Sequence, residues 1–297
     1  MIVLLCAGAL LLLAGIPLVA LRRRRPAEEP VATAQWQLEL HYQPIFTAAG
    51  DVRELEALLR WHHPEHGPRP AGAFLDSGNR ELTARILRAA TTAVAGWRTQ
   101  GHEVRVVVNL AADDLLDEGL PALVTESTAR AGLPADAIAV EFKESALARD
   151  PDAATRALTR LAGAGIAVDL DGVGAGATHW LTVAQAPVSR LRLDRELVRL
   201  LPESMAAERI VAGLLGIARD LGLDGVAVGV ESRAAAAQLI ALGVDGLQGY
   251  GLARPLPAPA VGAWLTNWRE LRSTPSPAAL SCRRAAEAGS SSGRSPA

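Results

Sequence analysis

Short apolar runs alternate with longer Ala/Leu/Arg-rich stretches throughout residues 36–272 of this chain, and that rhythm restricts the fold more than any other feature. The apolar runs fall at 38–46, 104–109, 138–142, 166–171, 190–193, 225–230 and 246–248. Their length and β-branched content suit strands. Helical patterns lie between them at 82–97, 120–131, 153–162 and 206–221, and Gly101, Gly132, Gly165, Gly222 and Gly243 stand where helices would end in a left-handed cap. Repeated alternation of this kind implies parallel strands joined by crossover helices. A closed (β/α)8 barrel is the simplest α/β solution at this length. An open doubly wound sheet is the alternative, weakened because no Gly-x-Gly-x-x-Gly turn follows the first strand. At 49% hydrophobic residues the chain has enough apolar surface for such a core.

The two ends differ in character. Residues 2–21 carry no charge, and Arg22, Arg23, Arg24 and Arg25 follow at once. Twenty apolar-biased residues match the thickness of a bilayer core, roughly 30 Å. Arginines on the C-terminal flank hold that flank in the cytoplasm. A cleaved signal would carry its basic residues before the apolar stretch and end in a small-x-small site. The expected organisation is therefore a transmembrane anchor at 1–21 in the inner membrane, a basic and polar linker at 22–35, a cytoplasmic globular domain at 36–272, and a disordered Ser/Ala/Pro/Gly-rich tail at 273–297. Cys6 and Cys282 are far apart with no Cys-x-x-Cys partner, so neither a disulfide framework nor a zinc site is expected. A net charge of −2 gives no footprint for nucleic acid.

Oxygen-bearing side chains recur after the apolar runs: Glu56 in Glu-Ala-Leu-Leu-Arg, Asn109 after Val-Val-Val, Glu141 after Ile-Ala-Val, and Asp171 in Asp-Leu-Asp. In a barrel, strand C-termini converge on the face that carries chemistry. Carboxylates gathered there repel one another unless a cation sits among them. The pattern points to a Mg²⁺- or Mn²⁺-type site facing a phosphate, with simple capping of strand ends as the plainer reading. Asp169 shares a face with Asp171, about 7 Å further along the strand, and reads as a buried carboxylate rather than a ligand.

These residues resemble the EAL domain family across most of the globular region. The segments that carry the resemblance are Leu38-Glu-Leu-His-Tyr-Gln-Pro-Ile45, Glu56-Ala-Leu-Leu-Arg-Trp-His-His-Pro64, Val108-Asn-Leu110, Glu141-Phe-Lys-Glu144, Asp171-Gly-Val-Gly-Ala-Gly176, Leu191-Arg-Leu-Asp194, Ala227-Val-Gly-Val-Glu231, Gln248-Gly-Tyr250 and Arg254-Pro255. The resemblance implies a (β/α)8 barrel with a modified first strand, and two-metal hydrolysis of cyclic di-GMP to pGpG. It implies Glu56, Asn109, Glu141 and Asp171 as ligands of a first Mg²⁺ or Mn²⁺. It places Gln43, Arg60, Arg254 and Pro255 at ligand-contacting positions, and Arg192 and Gln248 at positions close to the chemistry.

The departures bear on activity. Gly172 stands where the family has a second Asp, Val228 where it has Glu, and Arg192 where it has Lys. Two carboxylates are thus replaced, which removes support for a second metal and for the attacking water. Arginine keeps the charge but is planar, larger and always protonated. The stretch after Phe74 is also shorter than the family pattern, in a region tied to pocket cover and dimerisation. Binding demands less than catalysis, so the first expectation is a membrane-anchored, catalytically impaired module that binds cyclic di-GMP. The alternatives are a weak metal-dependent phosphodiesterase and a protein-interaction module without nucleotide. His62, His63 and His66 look like a zinc cluster but are expected as loop histidines. Trp264 and Trp268, four residues apart, suit the buried face of a last helix.

Overall fold

The structure is a computed structural model that describes residues 37–63, 67–70, 78–176, 178 and 180–273. The expected anchor, the linker up to residue 35, most of the tail, His66 and Phe74 lie outside the described residues. Among the described residues no helix is long and apolar enough to cross a membrane.

In chain order the elements are β1 (Gln37–Thr47), β2 (Val52–His63), β3 (Gly67–Pro70), α1 (Arg80–Thr99), β4 (Arg105–Asn109), α2 (Ala112–Leu115), α3 (Leu120–Arg130), β5 (Ile138–Lys143), α4 (Pro151–Gly163), β6 (Ala167–Val173), α5 (Trp180–Gln185), β7 (Arg190–Leu193), α6 (Arg195–Arg199), α7 (Met205–Asp220), β8 (Asp224–Val228), α8 (Arg233–Ala241), β9 (Gly246–Gln248), β10 (Leu256–Pro257) and α9 (Ala258–Ser273). Strands β2, β4, β5, β6, β7, β8 and β9 run parallel in that order, and β1 closes the ring by pairing antiparallel with both β2 and β9. The ring is an eight-stranded barrel, and the modified first strand that the resemblance implies is here an antiparallel one. Strands β3 and β10 add outside it, on β2 and β1.

Local chemistry explains these elements. The side chain of Asn79 caps α1 by accepting from the amides of Glu81 and Leu82, both at 3.1 Å. Ile86, Leu87, Ala90, Val94 and Trp97 then recur at helical spacing and are buried against the barrel. The ring of Trp97 meets Tyr42 edge-on at 4.7 Å, and its Nε1 donates to the carbonyl of Ala258 at 3.2 Å, which ties α1 to β1 and to α9. Trp264 and Trp268 stack on the inner side of α9, and Trp268 packs edge-on against Phe46 at 5.2 Å, as the four-residue spacing predicts. The five expected helix-ending glycines all adopt positive φ, between 67° and 83°.

Two expectations need correction. Glu56 does not end a strand. It lies midway along the twelve-residue β2, paired with Gln43 on one side and Val107 on the other. That strand was absent from the apolar runs because its inward positions are charged. The backbone of His62 and His63 is strand rather than loop, in register with Pro68 and Gly67 of β3.

Candidate functional site in the barrel mouth

Alternation along each strand sorts side chains into two sets. Leu191 and Leu193 of β7 are buried in the core between strands and helices, while Arg190 and Arg192 point into the barrel. The inward position of Arg192 is fixed by contacts across the ring: it reaches Glu56 on β2, Glu141 on β5 and Gln248 on β9. The interior has three kinds of content. A small apolar cluster of Ile45, Val107, Ala139 and Val226 packs with Ala167. Glu54, Arg105, Asp169 and Arg190 form one charged group. Gln43, Glu56, Asn109, Glu141, Arg192 and Gln248 form the other, nearer the strand C-termini.

In that second group the guanidinium of Arg192 is central. Its Nη2 donates to Glu56 Oε2 at 2.8 Å and to Gln248 Oε1 at 2.5 Å, and its Nε lies 2.9 Å from Glu141 Oε2. Asn109 Nδ2 donates to Glu56 Oε1 at 2.7 Å, and Gln248 Nε2 donates to Glu56 Oε2 at 2.7 Å. Gln248 Nε2 is also 3.4 Å from Gln43 Oε1, and Gln43 Nε2 donates to the carbonyl of Ala253 at 3.0 Å. That bond fastens the loop following β9, which carries Arg254 and Pro255. Arg192 is 1% exposed and Glu141 2%. The carboxylate-plus-cation cluster is therefore built into the barrel rather than laid on its surface.

Electrostatics follow from burial. Loss of water pushes the Glu141 carboxyl well above the usual carboxylate range; Arg192 pulls it down, and Glu56 and Asp171 push it up further. Asp171 is raised in the same way, with Arg192 and the backbone N–H of Gly172 opposing. Burial alone would lower the Arg192 guanidinium, but Glu141, Glu56 and Asp171 hold it above its ordinary value, so it stays charged.

The sequence-derived positions divide plainly. Glu56, Asn109, Glu141, Arg192, Gln248 and Gln43 are brought together. Asp171 joins them electrostatically, in register with Arg192. Arg60 lies on the same face of β2 as Glu56, two strand repeats further on, and donates to the carbonyl of Leu59 at 3.3 Å. Arg254 is exposed, with its guanidinium 5.2 Å from the Tyr250 ring centroid. Gly172 is the extra residue of a bulge between Asp171 and Val173, at φ 79°, and a Cβ there would meet nothing within 4 Å. Val228 ends β8 in register with Gln248, while Glu231 is exposed and does not take its place. Asp169 is fully buried 3.6 Å from Arg190, a structural carboxylate as read from the strand repeat.

The family model for the EAL domain matches residues 28–255. The chain belongs to the EAL domain family. It is 34% identical over 229 residues to the bifunctional diguanylate cyclase/cyclic di-GMP phosphodiesterase MucR of Pseudomonas aeruginosa, a match covering 75% of this chain and 33% of MucR. It is 31% identical over 237 residues to the cyclic di-GMP phosphodiesterase PdeR of Escherichia coli, covering 78% and 36%. The chain thus spans about a third of the length of these curated relatives. Among solved structures, the PaMucR phosphodiesterase in complex with c-di-GMP superposes with a TM-score of 0.71 at 33% identity, over 76% of this chain and 94% of that one. The EAL domain of Mycobacterium smegmatis DcpA gives 0.66 at 27% identity, over 77% and 96%.

EAL domains are in general divalent-cation dependent. Here the donor types suit a hard cation, with three carboxylates and an amide oxygen available. Their arrangement does not. Both oxygens of Glu56 already accept N–H groups, and a guanidinium lies between Glu56 and Glu141. Among the described residues no group of three His, Cys, Asp or Glu side chains is placed to hold a metal ion. The role of Arg192 as counter-ion was missed from sequence, although the signal was there. Glu54 and Glu56, Asp169 and Asp171, and Arg190 and Arg192 are charge pairs two residues apart, and that spacing puts both members of each pair on one face.

Proposed function

We propose that this EAL domain is a module of cyclic di-GMP signalling that binds the dinucleotide and turns it over poorly or not at all. The observation that carries the reading is the pair Gly172 and Val228. Each stands at the barrel mouth beside the Glu56–Glu141–Arg192–Gln248 cluster, at a position where the family supplies a carboxylate. Without those groups the site would lack carboxylate support for a second cation and for the attacking water, and losing one such electrostatic contribution corresponds to roughly 10²–10³ in rate. Gln43, Arg60 and Arg254 keep the hydrogen-bonding and cationic groups suited to a guanine–phosphate ligand. The uncharged stretch at 2–21 with Arg22, Arg23, Arg24 and Arg25 supports tethering to the inner membrane with the barrel in the cytoplasm.

The deciding assay is ion-pair chromatography of cyclic di-GMP incubated with the full chain and Mn²⁺, run beside Glu56→Ala. The expected result is no pGpG above the Glu56→Ala background. Stoichiometric conversion within minutes by the unaltered chain alone would establish the second reading, an active phosphodiesterase, which the 33% identity to the PaMucR phosphodiesterase favours.

A further inference from the structure

We propose that the guanidinium of Arg192 is the resident cation of the Glu56–Asn109–Glu141–Asp171 set, and that this set therefore takes up no divalent ion. The proposal rests on the reading of this barrel mouth as a cyclic di-GMP site, and it says how that site operates: ligand enters a mouth whose carboxylates are already neutralised from within.

Three observations carry it. The first is occupancy of lone pairs. Glu56 Oε2 accepts from Arg192 at 2.8 Å and from Gln248 at 2.7 Å, while Glu56 Oε1 accepts from Asn109 at 2.7 Å. Asn109 thus presents its amide nitrogen, not its oxygen, to the carboxylate. A Mg²⁺ ion demands near-octahedral oxygen ligands at about 2.0–2.1 Å, so it would have to break these bonds together. The second is immobility. Arg192 is 1% exposed, its neighbours Leu191 and Leu193 are buried at 0% and 1%, and it sits in a four-residue strand paired on both sides. Clearing the centre for a metal would take this buried guanidinium away from Glu56, Glu141 and Gln248 together. The third is the chemistry of the group. A lysine ammonium is a compact point charge that can give up its proton beside a metal, whereas guanidinium is planar, spans two carboxylates at once and remains protonated. Arg192 joins Glu56 and Glu141 across the ring, the two carboxylates a first metal would have to bridge.

The test is direct metal binding. Mn²⁺ is titrated into the full chain in mild detergent and the free ion is counted by electron paramagnetic resonance. The unaltered chain is expected to leave millimolar Mn²⁺ free. Arg192→Lys is expected to tighten Mn²⁺ binding by roughly 10–100-fold, the usual scale for a neighbour that controls metal ligands. Arg192→Met strips the internal cation, and Mn²⁺ is then expected to raise the melting temperature of that variant while leaving the unaltered chain unmoved. Should Arg192→Met fail to fold, Arg192→Lys decides alone. Tight Mn²⁺ binding by the unaltered chain that disappears in Glu56→Ala would overturn the proposal, as would an Arg192→Lys variant that gains no affinity. A separate cyclic di-GMP titration that gives no heat would sink the reading of the site as a dinucleotide receptor and leave the metal result standing.

Discussion

Restoring the family carboxylates asks whether Gly172, Val228 and Arg192 are what separates this barrel from a phosphodiesterase. The perturbation is the triple variant Gly172→Asp, Val228→Glu, Arg192→Lys. Its stability cost has two sources, the loss of the Arg192 pairings to Glu56 and Gln248 and the backbone at position 172. An added Cβ meets nothing within 4 Å, so there is no steric clash, but the backbone is left-handed at φ 79°. An L-residue there costs on the order of 1 kcal/mol, at the low end because Asp tolerates this region better than most. For a domain of this size that corresponds to a fall of about 2–4 °C in melting temperature. Val228→Glu places a half-exposed carboxylate beside Gln248 with little penalty. The gain in rate is larger. With one lost electrostatic contribution at roughly 10²–10³, regaining both carboxylates is expected to raise pGpG production at least about 10²-fold over the unaltered chain in Mn²⁺. Calorimetric melting and chromatography of product read the two effects. A triple variant that folds, binds Mn²⁺ and still makes no more pGpG than the unaltered chain would refute the assignment of inactivity to these positions.

Other outcomes follow from the same geometry. Glu54 accepts from both Arg105 and Arg190 inside the barrel, so Glu54→Gln leaves two buried guanidinium groups undercompensated and is expected to cost about 3–5 kcal/mol by denaturant unfolding. Burial pushes the Glu54 carboxyl up, but Arg190 and Arg105 outweigh it and hold it below its ordinary value. Its stabilisation is therefore present above the unfolded value and lost as pH falls through the lower folded one, so the gap between Glu54→Gln and the unaltered chain should narrow as pH drops below the unfolded glutamate value of about 4.3. Gly249→Ala drives a Cβ to within 2.0 Å of the Val230 carbonyl oxygen and 2.3 Å of its nitrogen, so soluble expression should collapse; a variant as stable as the parent would show the β9 loop is placed wrongly. Gln43→Ala cuts the tie to Ala253 and is expected to weaken cyclic di-GMP binding about tenfold by calorimetry, with melting shifted by no more than about 2–4 °C.

Periodicity carried most of the architecture. The run at 138–142 needed only one residue to become β5, because a strand buried on both faces is apolar enough to stand out, and the alternating segment 190–193 became β7 unchanged, with Leu191 and Leu193 on the core side. Strand β2 escaped for the opposite reason. Its inward positions are Glu54 and Glu56, so it lacks a continuous apolar run, and its partner β1 is antiparallel with no helix between them. The short helices α5 and α6 and the two-residue β10 carry too few periodic residues to be read in advance. Of the site, the positions were legible residue by residue through the EAL motifs. What joins them was not. Repulsion among Glu56, Glu141 and Asp171 asks for a cation, and spacing along the chain does not say that the chain itself holds one. The structure places Arg192 between two of them. Its planar guanidinium turns Nε toward Glu141 and Nη2 toward Glu56, a juxtaposition across the ring that spacing along the chain does not contain.

The central claim, binding without turnover at a barrel mouth neutralised from within, is tested most directly by one calorimetric titration. Cyclic di-GMP is titrated into the full chain in mild detergent, once with Mg²⁺ and once with chelator, and the cell contents are analysed for pGpG afterwards. The account predicts saturable binding of the same strength in both titrations and intact dinucleotide at the end. Binding that vanishes with chelator, or a cell containing pGpG, would contradict it.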